Sequence, residues 1–482
     1  MRARAASWTS LALVLSLAGG VAGGLGGASG TAVAQGAGPG DEQVVTVPVA
    51  IDTTGTDDVT DALNGFLAGV EPGTTVEFPE GGRFRVEGTM LLDERRNVTI
   101  EGNGSTIFAT TPGGITRAHV AVTGGSGITI RKLIVDGANP AAGVEDGAYQ
   151  PDFEGQHGFS IKGTDGVELD QVAVTDVYGD FIYLGRTDDG RWTRRAWIHD
   201  SLLSRSGRQG IAIVAGQDVV IERNGISEVA RSTIDLEPNA RSGGAINIHV
   251  IDNEIGTGRL LFLAVAGNGP VDQVIVSNNR LTGKLLTVTI LPPPGDRRTN
   301  FWITGNRGGA ASSRTPIKVN RVDGLVVWRN SQPVRRGEVG VRTDDVCGLT
   351  VEANDFGPFA EPVSPQGPAC GTVLGPVPPE PADVFNRAAT DEPDPTVPSD
   401  EPTTTVDEPV EAPAPDAPVE GSDDSNESWT GTIAVGILAA MSVLAALITS
   451  ARARTTRRHL AAQRAALAQP DPDSAAGDAG AG

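Results

Sequence analysis

Between about residue 97 and residue 357, apolar and polar positions alternate with period two in short runs, each broken by a turn rich in Gly, Asn or Asp. Period two places successive side chains on opposite faces of a strand, and the runs favour Val, Ile and Thr, so they read as strands and not as helical repeats. The pattern also recurs. A run ending in Asn before another aliphatic residue appears at Ile221–Ile226 (IERNGI), Asp252–Ile255 (DNEI), Ser277–Leu281 (SNNRL), Thr304–Asn306, Trp328–Asn330 and Glu352–Phe356 (EANDF), at spacings of roughly 24 to 29 residues. Leu169–Val172 and Ile198–Ser201 keep the frame with other residues in the Asn slot. A unit of this length with two or three short strands and Gly-rich corners fits one turn of a parallel β-helix, whose coils hydrogen-bond to neighbours about 4.8 Å away. Asn224, Asn253, Asn279, Asn306, Asn330 and Asn354 are then expected to stack as an inward amide ladder, the means by which stacked strands satisfy buried polar groups.

A different period appears upstream. Thr60–Val70 (TDALNGFLAGV) places Ala62, Leu63, Phe66, Leu67 and Val70 on one helical stripe, which predicts a short helix capping the open first coil. The expected fold class is therefore all-β: a right-handed parallel β-helix solenoid of roughly ten coils with a short N-terminal capping helix, followed by a disordered stalk and one transmembrane helix.

The ends of the 482-residue chain carry that second part of the expectation. Residues 1–34 have Arg2 and Arg4, the apolar run Leu11–Ala18 and a small-residue site Ala32-Val33-Ala34, the form of a secretory signal peptide, with 35–49 as an N-terminal extension. The solenoid domain is assigned to 50–375. Residues 376–428 are Pro, Asp, Glu, Thr and Ser with few large apolar side chains, a composition that cannot bury a core. This stalk holds 15 acids and one Arg, about -14 of the formal net charge of -22, so the folded part is only mildly acidic. Residues 429–450 contain an uncharged run, Thr430–Thr449, long enough to cross a bilayer, and Arg452, Arg454, Arg457 and Arg458 follow it. The positive-inside rule puts 451–482 in the cytoplasm and the domain outside, giving a single-pass cell-membrane protein. The acidic balance, 60 acids against 38 bases, lacks the basic footprint of a nucleic-acid binder. Two cysteines, Cys347 and Cys370, exclude a disulfide-dense framework and a Cys-rich zinc module; exported together, they are expected to form one disulfide.

The segments Asp52–Asp58 (DTTGTDD) and Asn97–Gly104 (NVTIEGNG), with the Asn ladder, resemble the right-handed parallel β-helix superfamily of pectate lyases and polygalacturonases over most of residues 50–357. The resemblance implies the fold and an extracellular polysaccharide as partner. It leaves activity open, because the superfamily spans lyases, hydrolases, epimerases, esterases, phage depolymerases and non-catalytic adhesins. Nothing matches the polygalacturonase acid set, a paired Asp-Asp followed by His-Gly and Arg-x-Lys elements, and there is no clear pectate-lyase calcium triad.

Candidate chemistry comes from aligning the strands that precede each ladder run: His157–Lys162, Asp180–Gly185, Gln209–Val214 and Ser232–Glu237. Alternation turns Phe159, Ile182, Ile211 and Ile234 inward, and Ser160, Tyr183, Ala212 and Asp235 outward in one column, with Ala212 leaving a notch between Tyr183 and Asp235. Lys162, Gly185, Val214 and Glu237 form the next column. Asp235 and Glu237, two apart on one strand face, are expected about 7 Å apart, a spacing used by inverting glycosidases. These two, with Asp180 and Arg208, are the candidate catalytic residues; His157, Lys162, Tyr183, Arg186 and Gln209 are the candidate substrate-binding residues. Asp180 and His157 have inward parity at the first strand position, where a corner either turns them towards the site or satisfies them with a hydrogen bond. The insertion Gly137–Gln156 brings Glu145, Asp146, Asp152 and Glu154, hard oxygen donors for Ca²⁺ or a solvated loop. Trp192 and Trp197 are available as sugar platforms. Two readings stand: an enzyme acting on a polysaccharide by hydrolysis, elimination or epimerisation, and a non-catalytic carbohydrate-binding or adhesive module. Convergence of Asp180, Arg208, Asp235 and Glu237 on one place is the observation that separates them.

Overall fold

The computed structural model describes residues 43–309, 312–358 and 361–366. A coil begins with a short strand such as Ile182–Gly185, continues through a longer one, Thr193–His199, and closes with Leu202–Ser206. The next coil repeats the order as Ile211–Ile213, Ala215–Glu222 and Gly225–Val229, and each strand pairs in parallel with its counterpart one coil away. Stacking about 11 such turns generates three faces. The third face is a separate 10-stranded sheet. The first two merge into one 21-stranded sheet because the strands Ile317–Trp328 and Val339–Glu352 run without a break from one face into the next.

The register follows from the apolar alternation. Phe159, Ile182, Ile211, Ile234, Leu263 and Val288 are Cα partners in successive coils, and all are 0% exposed. A one-residue slip would expose the whole column, so burial locks the pairing.

The corner between the second and third strands carries the amide ladder. Asn253 shows the scheme: its Oδ1 accepts from the Asn224 backbone N–H (3.0 Å) and Nδ2 (3.1 Å), while its own Nδ2 donates to Ile221 O (2.9 Å) and Asn279 Oδ1 (3.0 Å). The chain of bonds continues through Asn306 and Asn330 to Asn354. Upstream, Ser201 takes the slot: its N–H donates to Asn224 Oδ1 (3.0 Å) and its Oγ accepts from Val172 N–H (3.1 Å). The residue before each slot turns the corner in the left-handed region, as at Asp200, Arg223, Asp252, Asn278 and Arg329. Ala353 does the same before Asn354, and these non-glycine residues keep a positive φ because the next side chain bonds the neighbouring coil's backbone.

The capping helix spans Thr60–Ala68 and buries Leu63 and Leu67, with Phe66 packed partly against the core. Ala62, expected on the apolar stripe, is exposed. Asn64 holds the helix down instead, donating to Thr89 O (2.8 Å) and accepting from Leu91 N–H (2.9 Å). In the preceding turn the Asp52 carboxylate accepts from the Thr54, Thr56 and Asp57 N–H groups, which holds it well below the usual carboxylate range.

Cys347 lies in Val339–Glu352 and is disulfide-bonded; Cys370 lies outside the described residues. The segments expected from the sequence to be a signal peptide, a stalk, a transmembrane helix (429–450) and a cytoplasmic tail lie outside them as well. Among the described residues no helix is long and apolar enough to cross a membrane.

Candidate functional site

The outward column pairs as read from the sequence: Ser160 with Tyr183, Tyr183 with Ala212, and Ala212 with Asp235. Outward does not mean solvated here. Ser160, Ala212 and Asp235 are 6%, 1% and 3% exposed, so the expected notch at Ala212 is covered. The Tyr183 ring, half-buried, lies against Gly185, where a Cβ would sit 2.5 Å from its Cε1. Lys162 is exposed, its ammonium 5.9 Å from the Tyr183 ring centroid. Arg186 is half-buried at the end of the Tyr183 strand, where its residue forms an isolated antiparallel bridge with Trp192.

The residues at the first strand positions form a second corner ladder. His157 Nδ1 accepts from Asp180 N–H (3.1 Å), Asp180 Oδ1 from Gln209 N–H (2.9 Å), and Gln209 Oε1 from Ser232 N–H (2.7 Å). His157 and Asp180 both make the corner hydrogen bond, and Asp180 also reaches Arg208. Gln209, read as a substrate-binding residue, is buried with its carbonyl oxygen committed to the next coil. His157 stacks on Tyr183 with centroids 4.7 Å apart, and burial pushes its pKa down to about 4, so the ring is neutral at physiological pH.

Arg208 joins this corner to the outward acids. Its Nη1 donates to both oxygens of the fully buried Asp180 (3.1 and 3.0 Å), its Nε lies 3.4 Å from Glu154, and its Nη2 lies 3.9 Å from Glu237. Burial works against its charge, yet Asp180 and Glu154 outweigh that and hold its pKa above the ordinary value. Asp180, Arg208, Asp235 and Glu237 therefore converge on one place.

Asp235 is the perturbed group there. Burial raises its pKa, the Glu237 and Asp180 charges raise it further, and Arg208 opposes them. Its Oδ2 is buried without a partner. Glu237, two residues on along the same strand face, lies close enough for its charge to bear on Asp235. The Glu237 side chain, 33% exposed, carries the pair towards solvent.

The insertion is folded onto this end of the site. Tyr149 donates to Glu154 (2.8 Å) and its ring lies 4.9 Å from the Arg231 guanidinium carbon, so the Tyr149 and Glu154 side chains face Arg231 and Arg208 of the coils below. A Cβ at Gly207 would meet Tyr178 O at 2.3 Å and Ala148 O at 2.9 Å, so the insertion crosses backbone to backbone there. Its acids are not gathered for Ca²⁺: Glu154 faces Arg208 and Asp146 pairs with Arg259 (2.8 Å). An open concavity of about 480 Å³ lies elsewhere, lined by residues including Asp165, Trp192, Arg194 and Gln217. Its Asp165 is paired with Arg195 (2.9 Å) and none of the four converging residues lines it, so chemistry, not concavity, locates the candidate site.

No family model and no curated protein matches this chain. Among solved structures it is similar to the surface protein and adhesin PfbA of Streptococcus pneumoniae, at 14% identity and a TM-score of 0.46 over 67% of this chain and 100% of that one. It is also similar to the endo-xylogalacturonan hydrolase of Aspergillus tubingensis, at 12% identity and a TM-score of 0.47 over 69% of this chain and 96% of that one. A third likeness is to the A-module of the mannuronan C-5 epimerase AlgE4 of Azotobacter vinelandii, at 14% identity and a TM-score of 0.43 over 66% and 94% of the respective chains. What this chain has in common with such pectate-lyase-like proteins is the parallel β-solenoid that its own strand register establishes.

Proposed function

We propose that the domain acts on an extracellular polysaccharide by acid–base chemistry at the Asp235–Glu237 pair. The observation that carries this reading is the buried Asp235 carboxyl, its pKa raised by burial and by the Glu237 charge, on the face where Arg208 reaches Glu237. A carboxyl with a raised pKa retains its proton towards neutral pH and can protonate a leaving glycosidic oxygen; Glu237, closer to solvent, supplies the partner carboxylate. Tyr183 and Lys162, on adjacent coils, are placed to contact sugar hydroxyls. Arg208 is committed to three acids, so it offers little charge for a uronic carboxylate. That favours hydrolysis over elimination and epimerisation, which require such neutralisation.

Export, the stalk and the single membrane span remain part of the proposal on sequence grounds: they would hold the domain outside the cell, where such a substrate is found.

The test is turnover of a panel of neutral and acidic polysaccharides by the full chain. New reducing ends that disappear in Asp235→Asn support hydrolysis, whereas unsaturated products mean elimination. Retention of a glycan with no products from any substrate would replace the enzyme by a binding module.

A further inference from the structure

We propose that the concavity bordered by Trp192 and Arg194 is an accessory binding site for a sugar unit that carries a carboxylate, within a longer glycan chain. The site lies around the corner from Lys162, on the second strand face, and does not depend on the role of the Asp235–Glu237 pair. Strand register builds it. Asp165, Arg194 and Gln217 lie near the start of the second strand in three successive coils and are Cα partners. The residue after each, Gly166, Arg195 and Asp218, is left-handed, so every strand bends directly behind this column. All three side chains line the concavity of about 480 Å³, together with Gly163, Gly190, Arg191 and Trp192, and that volume is within the range of small-ligand sites.

Trp192 is fixed before any ligand arrives. Its Nε1 donates to Ser242 O (2.9 Å), and a Cβ at Gly244 would meet its ring at 2.2 Å. The indole is therefore laid across the bare backbone of Gly244, two coils on, and stays half-buried. A flat, immobile apolar ring at the edge of a concavity is a platform for the C–H face of a pyranose.

The charges supply an independent sign of the ligand. Asp165 is paired with Arg195 (2.9 Å), and Arg191 with Asp189 (3.0 Å) and with Glu94. Arg194 is exposed and, among the described residues, has no carboxylate partner; the half-buried Gln217 amide makes no side-chain hydrogen bond among them. The acid lining the concavity is thus already neutralised, and Arg194 is left as its uncompensated charge. A planar guanidinium matches a carboxylate with two parallel hydrogen bonds, and an amide both donates to and accepts from hydroxyls. A small anion would leave Trp192 without a role, and a neutral sugar would leave Arg194 unpaired. A sugar acid uses both.

The full chain carrying Asp235→Asn, so that turnover does not interfere, should be titrated calorimetrically with uronic-acid oligosaccharides and with the same oligosaccharides after reduction of their carboxyls to alcohols. The acidic set is expected to bind more tightly. Arg194→Gln should weaken its binding about ten- to hundredfold and leave the reduced set unchanged, which removes the preference. Trp192→Ala should weaken both sets, and Trp192→Phe should recover part of the loss. Circular dichroism identifies any variant that misfolds; the exposed, unpaired Arg194 keeps the test decisive if Trp192→Ala does. Absence of binding by every acidic oligosaccharide overturns the proposal, as does equal binding of the two sets, or acidic binding that Arg194→Gln leaves unchanged. Turnover by the parent chain reports on Asp235 separately, so the two readings fail independently.

Discussion

Arg208 and Asp180 form a fork at the head of the site: Nη1 of the arginine lies 3.1 and 3.0 Å from the two carboxylate oxygens, and the aspartate is wholly buried. Without the guanidinium, Asp180 would keep only N–H donors such as that of Gln209 around a charge with no access to water. Arg208→Gln should therefore destabilise the domain by about 3–5 kcal/mol, the range for a buried ion pair that loses one member. Urea unfolding checks this, and adding Asp180→Asn to the same chain should recover part of the loss. Equal stability of Arg208→Gln and the parent would mean that the fork contributes nothing.

Asp235 sets a pH dependence whose sign is opposite to that of an ordinary ion-paired carboxylate. Its folded-state pKa is raised, by burial first and then by Glu237 and Asp180, so the folded state binds the proton more tightly than the unfolded chain does. Stability from this group is full below the unfolded pKa and is lost as pH rises through the folded one. Asp235→Asn should remove that part of the decline between about pH 4 and neutrality. Thermal unfolding across this range is the measurement, and an unchanged slope would contradict the assignment. Activity should disappear in the same variant. The outward position read from the sequence is not solvated, since Asp235 is 3% exposed, so the substitution acts on stability as well.

Asn279 accepts two bonds from Asn253 and donates to Val250 O and Asn306 Oδ1, so Asn279→Ala orphans buried groups on both neighbouring coils. A loss of at least about 2 kcal/mol is expected. Asn354 is only partly buried and ends the described ladder, so Asn354→Ala should cost clearly less in the same denaturation assay.

At Gly207 a side chain would strike the carbonyl oxygens of Tyr178 and Ala148, neither of which can swing away like a side-chain tip. Gly207→Ala should lift the 137–156 insertion and make it a preferred cleavage site in limited proteolysis, with the coils below still intact. A cleavage pattern identical to the parent's would show that the crossing tolerates a methyl group.

The apolar run Thr430–Thr449 and its following arginines predict that the full chain fractionates with membranes and that truncation before Trp429 releases the domain to the medium. Recovery of the full chain in the soluble cytoplasmic fraction would refute that topology.

Period-two alternation and the recurring Asn determined the coil, its register and the ladder, because a stacked strand has one face to bury and each inward amide needs the same partner one coil away. The column Ser160, Tyr183, Ala212, Asp235 was legible for the same reason: register is a property of spacing. Burial of that column was not legible, since the lean of Tyr183 over Gly185 is a side-chain torsion, and the meeting of the insertion's Tyr149 and Glu154 with Arg231 and Arg208 joins residues far apart in sequence. Nor was the raised pKa of Asp235, for a strand's rise sets Cα spacing while burial decides what it costs to charge a carboxyl. His199 shows the same divide. Its place beside a ladder slot can be read from Ile198–Ser201, but Glu168 and Asp170 reach it only because the preceding coil, 29 residues back along the Asp170-to-His199 register, stacks against it.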